Sequence, residues 1–288
     1  MAVGWIIAGA AAMAQSPDVS VFADLRPTIS FSSSEDTRLR WYDTSGRHSL
    51  VGFRIILENG GRMYVAQRLQ KMPGDADPDS LDEWFIELPP EWRAGKQYLP
   101  FGQKNIVREA VPAIRFNTTL VFDAVPIEIA YCDAGDERPR GIVGRVGNPN
   151  LGVSVATGQH FGIQGTSFTQ FRDPGMAAGK GRGYQLMYGI DGSLKFGIAT
   201  ISGEYVALRE GETNKDADAD LTDFRARFSL PMTGWFAEAA WSRSWQDKQD
   251  IYRLSAEIPA ADKVSIQPFV RFDHRGFHDG GVVARLRF

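Results

Sequence analysis

From Pro27 to Phe288 the chain repeats one pattern: a segment of alternating apolar and polar residues, closed by a turn rich in Gly, Pro, Asp and Asn. In Phe224–Leu230 the even positions are apolar and the odd ones polar. Tyr252, Leu254, Ala256 and Ile258 repeat this against Arg253, Ser255 and Glu257. Val264, Ile266, Pro268, Val270 and Phe272 follow against Ser265, Gln267, Arg271 and Asp273, with Phe269 the exception on the polar side. Val282, Ala284, Leu286 and Phe288 close the chain. No helical period is sustained. Alternation gives each strand one dry and one wet face. The dry face must meet a second sheet, as in a soluble sandwich, or lipid, as in a membrane barrel.

Three features favour the barrel. The wet face is rich in Arg. Aromatics sit near segment ends, at Trp41-Tyr42, Trp84-Phe85, Trp92, Trp235-Phe236, Trp241 and Trp245, where interfacial girdles would lie. The last residue of the last alternating segment is Phe288. The connections argue more strongly, because they alternate in length. Asn59–Gly60, Pro89–Glu91, Asp123–Val125, Asn148–Asn150, Asp191–Ser193, Pro231–Thr233 and Pro259–Asp262 are short. Thr44–Arg47, Lys71–Ser80, Gly102–Pro112, Ala134–Arg138, Gln159–Gly181, Glu210–Asp220, Gln246–Gln249 and His274–Asp279 are longer. Short periplasmic turns with longer outer loops define an all-β fold: a single antiparallel transmembrane β-barrel. The count is 16 strands, with 14 or 18 as the nearest alternatives, over 28–43, 48–58, 61–70, 81–88, 92–101, 113–122, 126–133, 139–147, 151–158, 182–190, 194–209, 221–230, 234–245, 250–258, 263–273 and 280–288. Gly203-Glu204 breaks an apolar face and suggests a bulge.

Residues 1–14, Met1 to Ala14, form an apolar run ending Ala12-Met13-Ala14 ahead of Gln15 and read as a signal peptide, although no Lys or Arg precedes the run. Residues 15–26 read as an N-terminal lead-in and 27–288 as the barrel. A net charge of -3 disfavours a dedicated nucleic-acid binder. One cysteine permits no internal disulfide, and Cys132 reads as a small packing residue. No cofactor and no metal are called for. Gly74–Asp79 and Lys215–Asp220 carry carboxylates at alternate positions without the glycine and final glutamate of a calcium loop, so solvated loop charge is the simpler reading.

Face assignment places Arg38, Arg40, Arg54, Arg62, Arg68, Lys96, Arg115, Arg145, Lys195, Arg225, Arg227, Arg253, Arg271, Arg285 and Arg287 in the lumen. Glu58, Glu83, Glu87, Glu128, Glu238, Glu257 and Asp273 face them. Guanidiniums keep their charge and offer a fork of donors, so such a wall lowers the barrier for anions; the alternative is that they pair with wall carboxylates and brace the barrel. Sixteen strands enclose a channel unless something folds in. The longest connection, Gln159–Gly181, is the candidate constriction, through Phe168, Phe171 and Arg172, with Phe161 a neighbouring aromatic.

Gly95–Gly102 reads GKQYLPFG after a strand ending Trp-Phe-Ile-Glu-Leu. This stretch resembles the GRQYVPFG-type segment of the LbtU-family siderophore porins of Gram-negative bacteria and, more distantly, the OprO/OprP-type phosphate-selective porins. The match covers about a tenth of the chain, and Gln103–Pro112 lacks the acidic, Leu-rich loop of that family. The resemblance implies a porin-like outer-membrane barrel. The expected function is passive diffusion of small hydrophilic solutes with an anion bias, in the outer membrane of a Gram-negative bacterium, in contact with lipid, without nucleic acid, and with a homo-oligomer open. Two other functions compete. An outer-membrane barrel hydrolase could use a rim site of Asp273, His274, His278 and Asp279 with Asp77 or Asp79, although no His-x-Ser-Asn-Gly sequence occurs. A soluble secreted β-sandwich binding module would account for the strands and exposed Trp, but not for the alternating connection lengths.

Overall fold

The computed structural model describes residues 17–32, 37–58, 60–72, 80–89, 91–120, 125–135, 137–163, 182–212 and 218–288. The expected signal segment 1–14, Asp75, Asp77, Asp79, Asp216 and the constriction candidates Phe168, Phe171 and Arg172 lie outside these residues. The described elements are all strands: β1 Asp18–Leu25, β2 Thr28–Ser32, β3 Arg38–Arg40, β4 Leu50–Ile56, β5 Arg62–Arg68, β6 Leu81–Leu88, β7 Trp92–Tyr98, β8 Ala110–Leu120 and β9 Val125–Asp133. They continue as β10 Arg140–Asn148, β11 Leu151–Gly162, β12 Arg182–Phe196, β13 Ala199–Gly211, β14 Ala219–Leu230, β15 Trp235–Ser244, β16 Gln249–Ala261, β17 Val264–Asp273 and β18 Gly276–Arg287.

Every neighbouring pair is antiparallel, and the sheet closes on itself. β18 pairs with β1 through Asp24↔Arg287 and with β2 through Asp279↔Ser32 to Val283↔Thr28. On the other side β1 pairs with β4 and β2 with β3. Thus β1 and β2 form one wall strand interrupted at Arg26-Pro27, and β3 and β4 form one wall strand interrupted at 41–49. With the remaining 14 strands the wall has sixteen, as the pattern predicts. A two-sheet sandwich is overturned by this single closed ring.

Alternation sorts the faces. On β11, Val155 is 49% exposed on the outer surface while Ser154 and Ala156 beside it are buried within. Trp92 and Trp235 open strands after short turns and Trp245 follows β15 at the opposite end, so exposed indoles mark both rims. Tyr42 and Phe85, expected in the girdles, are instead buried.

Several boundaries differ from expectation. Of the residues expected as a lead-in, Asp18–Leu25 form β1, and the expected strand 28–43 is divided into β2 and β3. Thr44–Arg47 is not an outer loop; it points into the barrel, as shown below. The turn expected at Asp191–Ser193 lies at Gly197-Ile198, because Asp191 is an inward side chain paired with Arg145 and the positive φ of 56° falls at Gly197. The outer connection expected over His274–Asp279 shrinks to His274-Arg275, with Asp273 paired to Gly276.

The closure seam is tight. Gly281 lies opposite Ser30, and a Cβ there would collide with the Ile29 carbonyl oxygen and the Ser30 backbone. Gly144, by contrast, has only the Glu128 carbonyl at 3.7 Å. Gly281→Ala is therefore expected to lower the urea midpoint of the refolded barrel and its refolding yield, with Gly144→Ala close to wild type. Equal midpoints for the two variants would show that the seam yields freely.

Candidate functional site: a lumen narrowed by two inward segments

The first inward segment is the excursion between β3 and β4. Trp41 to Ser49 form a small hairpin closed by Ser49 N to Trp41 O (2.8 Å) and Asp43 N to Arg47 O (2.9 Å), with Gly46 at a φ of 77° where a side chain would be strained. Asp43 organises the tip. Its Oδ1 accepts from the Ser45 and Arg47 amides at 2.8 and 3.0 Å, an Asx turn, and its Oδ2 accepts from Arg26 Nη1 at 2.6 Å. Thr28 Oγ1 donates to Tyr42 O, and the Arg26 amide donates to Ser49 Oγ, so side chains replace the ladder bonds lost where the strand leaves the wall. The tip reaches β16, where Arg253 Nη1 donates to Ser45 Oγ at 2.6 Å.

The second inward segment connects β7 and β8. Leu99, Phe101, Ile106 and Val107 are all buried, against a surface that includes Ala113, Cys132, Val143, Ala156, Phe161, Met187, Val206, Leu208 and Leu221 on β8 to β14. The wall strands there carry apolar residues on both faces, because one face meets this segment and the other faces outward. Cys132 is fully buried among them, in the packing position the sequence suggested. The ring of Phe101 rests on Gly189, where an added Cβ would lie 3.0 Å from it. Two polar bonds complete the anchorage: Gly102 N donates to Ser154 Oγ at 3.0 Å, and Asn105 N donates to the buried Glu204 carboxylate at 2.9 Å. Lys104 and Arg108 lie over the Tyr98 ring, at 5.2 and 5.8 Å.

The described inward connection is therefore 99–109, which the sequence reading had placed among outer loops as Gly102–Pro112. The missed signal was its composition. Phe101, Ile106 and Val107 in a connection need a dry partner, and the barrel interior supplies it.

The remaining wall is polar and largely paired. Arg68 meets Asp82 at 2.7 Å, Arg145 meets Asp191 at 2.7 Å, Arg225 meets Asp223 at 2.6 Å and Arg253 meets Glu238 at 2.6 Å. Arg271 pairs with Asp279, both deeply buried. Glu87 bridges Arg62 and Arg93, and Arg115 approaches Glu128 at 3.3 Å. Arg40 donates to Ser30 Oγ, on the same face as Arg38. Arg54 is exposed, in register with Ser20. Lys96 is in register with the outward Trp84, only 2% exposed, and its ammonium donates to the Leu81 carbonyl. Glu58 is displaced from the wall altogether: β4 ends at Ile56 and Glu58 is exposed in the following turn.

Beside the hairpin lies a cavity of about 350 Å³. Arg26, Arg47, Arg225, Arg227, Arg253, Arg285 and Arg287 line it, with Asp43, Glu238 and Glu257. Arg227 and Arg287 share Glu257 at 3.6 Å, and Arg285 pairs with Asp24 at 2.6 Å. Arg26 and Arg47 were not among the cations assigned to the lumen: one follows β1 and the other sits in the hairpin. Phe269, the exception to the alternation, lines this cavity.

At the rim, His278 Nδ1 lies 3.6 Å from Asp273 Oδ2, and the Arg275 side chain donates to His274 Nε2 at 3.3 Å. No group of three or more His, Cys, Asp or Glu suited to a metal occurs among the described residues. Asp218 and Asp220, from the second acidic segment, both face Arg209.

No protein-family model matches this chain, and no curated protein matches it in sequence. Solved structures match its fold. The chain is similar to an anion-selective porin from Comamonas acidovorans, with 13% identity, 94% of this chain and 99% of that one covered, and a TM-score of 0.61. It is similar to a loop-deletion mutant of OmpT, an outer membrane protein of Vibrio cholerae, with 12% identity, 95% and 100% covered, and a TM-score of 0.61. A mutant of Rh. blastica porin matches at 11% identity over 94% and 100%, with a TM-score of 0.57. The fold is that of a porin-type outer-membrane barrel.

Proposed function

We propose that this chain is a porin of the Gram-negative outer membrane, exported by its first 14 residues, through which small hydrophilic solutes diffuse passively with a bias toward anions. The cavity beside the hairpin carries the reading, since seven guanidiniums line it against three carboxylates. Guanidiniums on a narrowed path offset part of an anion's lost hydration and raise the barrier for cations. The similar Comamonas acidovorans protein is described as an anion-selective porin. The Vibrio cholerae OmpT structure is described as a trimer form, and a homo-oligomer is proposed here too. The siderophore porins named from Gly95–Gly102 receive no separate support, so no siderophore is assigned.

The test is single-channel recording of the refolded chain in a planar bilayer under a potassium chloride gradient. Stable steps with a reversal potential displaced toward the chloride equilibrium value are expected. Folded, inserted protein that passes no current would overturn the porin and turn attention to the His278–Asp273 rim.

A further inference from the structure

The cavity beside the hairpin has a charge balance that names a solute class. Behind its lining, Asp24 serves Arg26 and Arg285, and Asp223 serves Arg225. Counting these, five carboxylates face seven guanidiniums, leaving two positive charges without an internal counter-charge. One excess charge can be located. Arg47 has no described carboxylate within 4.0 Å of its guanidinium; Asp43, whose charge still acts on it, is engaged by Arg26 and by the Ser45 and Arg47 amides. Arg26, Arg108 and Arg225 are near enough for their like charges to act on Arg47. The hairpin therefore spends its own carboxylate on fixing its turn and presents its guanidinium to the lumen. That arrangement suits a guest carrying two negative charges and several acceptor oxygens.

We propose that the cavity beside the Trp41–Ser49 hairpin is a binding site for a small dianion of carboxylate or tetrahedral oxyanion chemistry, with Arg47 as the residue that contacts it from the hairpin. The site rests on the pore reading above and gives it a solute class. At about 350 Å³ the cavity admits such an ion with part of its hydration shell. Arg227 and Arg287, only loosely held by Glu257, complete its cationic side.

The test uses the refolded full chain in a planar bilayer in potassium chloride, with sodium sulfate or sodium succinate added to one side. Saturable reduction of the chloride current is expected from at least one of them. Sulfate alone would name a compact tetrahedral guest, succinate alone a dicarboxylate, and both together the shared dianion chemistry. Arg47→Gln is expected to raise the half-blocking concentration about tenfold, with partial recovery in Arg47→Lys. Arg47 is at an exposed position of the lumen, so neither variant disturbs packing. An unchanged half-blocking concentration in Arg47→Gln, or no reduction by either ion in the wild type, overturns the site. If the folded chain passes no current, the porin reading fails and titration calorimetry of the same barrel in detergent decides the site separately. Sulfate or succinate binding that Arg47→Gln abolishes would sustain it, and no binding would end it.

Discussion

Phe101→Ala is expected to release the 99–109 segment from the barrel interior while leaving the wall intact. A buried Phe→Ala replacement costs about 3–5 kcal/mol. The segment's two polar anchors, Gly102 to Ser154 and Asn105 to Glu204, replace bonds to water and contribute about 1 kcal/mol each when neutral, somewhat more toward a carboxylate. Packing therefore dominates the attachment, and its loss falls on the segment because the strand ladders are untouched. Two measurements follow. Trypsin should cut the folded variant after Lys104 or Arg108, positions the wild-type interior shields, and single-channel current should rise several-fold with added noise. A variant that resists trypsin and conducts like the wild type would show that the polar anchors alone suffice.

Asp43→Ala is expected to have a comparably large effect on the other inward segment. The side chains of Arg26 and Asp43 are 6% and 8% exposed, so water does little to screen their pairing. Removing one partner from such a pair costs about 3–5 kcal/mol, because the other charge stays buried. The Ser45 and Arg47 amides lose their acceptor as well. The expected result is a lower urea midpoint for the barrel together with a larger conductance, as the hairpin loses its turn. Asp43→Asn keeps an oxygen for the amides and should fall between Ala and the wild type. If Asp43→Asn behaves as Asp43→Ala, the ion pair rather than the Asx turn holds the hairpin. If both match the wild type, the hairpin is fixed by Ser45 on Arg253 and by Thr28 and Ser49.

The wall was legible because alternation is a local consequence of strand geometry, written into every segment from Phe224 to Phe288. What escaped were the places where the polypeptide leaves that geometry. Asp18–Leu25 alternates as well as many later strands, but Pro27 concealed that β1 and β2 run on as one. Pro27 still accepts from Ala284 N through its carbonyl and lacks only an N–H to give to β18, so the strand continues past it. Thr44–Arg47 carries the polar residues of a turn, and nothing local tells whether a polar turn faces bulk water or a water-filled lumen. The suspected bulge at Gly203-Glu204 also belonged to the interior. β13 keeps its register there, and Glu204 turns inward to hold Asn105. For the arginines expected in the lumen, alternation gives a face but seldom a partner. Whether Arg145 meets Asp191 or open water depends on strands brought side by side only in the folded wall.

That dependence reaches back to the seam. Asp24 from the first wall strand is clasped by Arg285 of the last, and Ser45 of the hairpin by Arg253 of β16, contacts between residues separated by 261 and 208 positions in sequence. An open sheet, with every ladder but one in place, would possess neither. Its first strand would present Asp24 and Arg26 at a free margin, and Arg285 and Arg287 would stand at the opposite margin. The cationic cavity is thus a property of the finished circle, and whatever filter it provides begins to exist at the moment the first and last strands join.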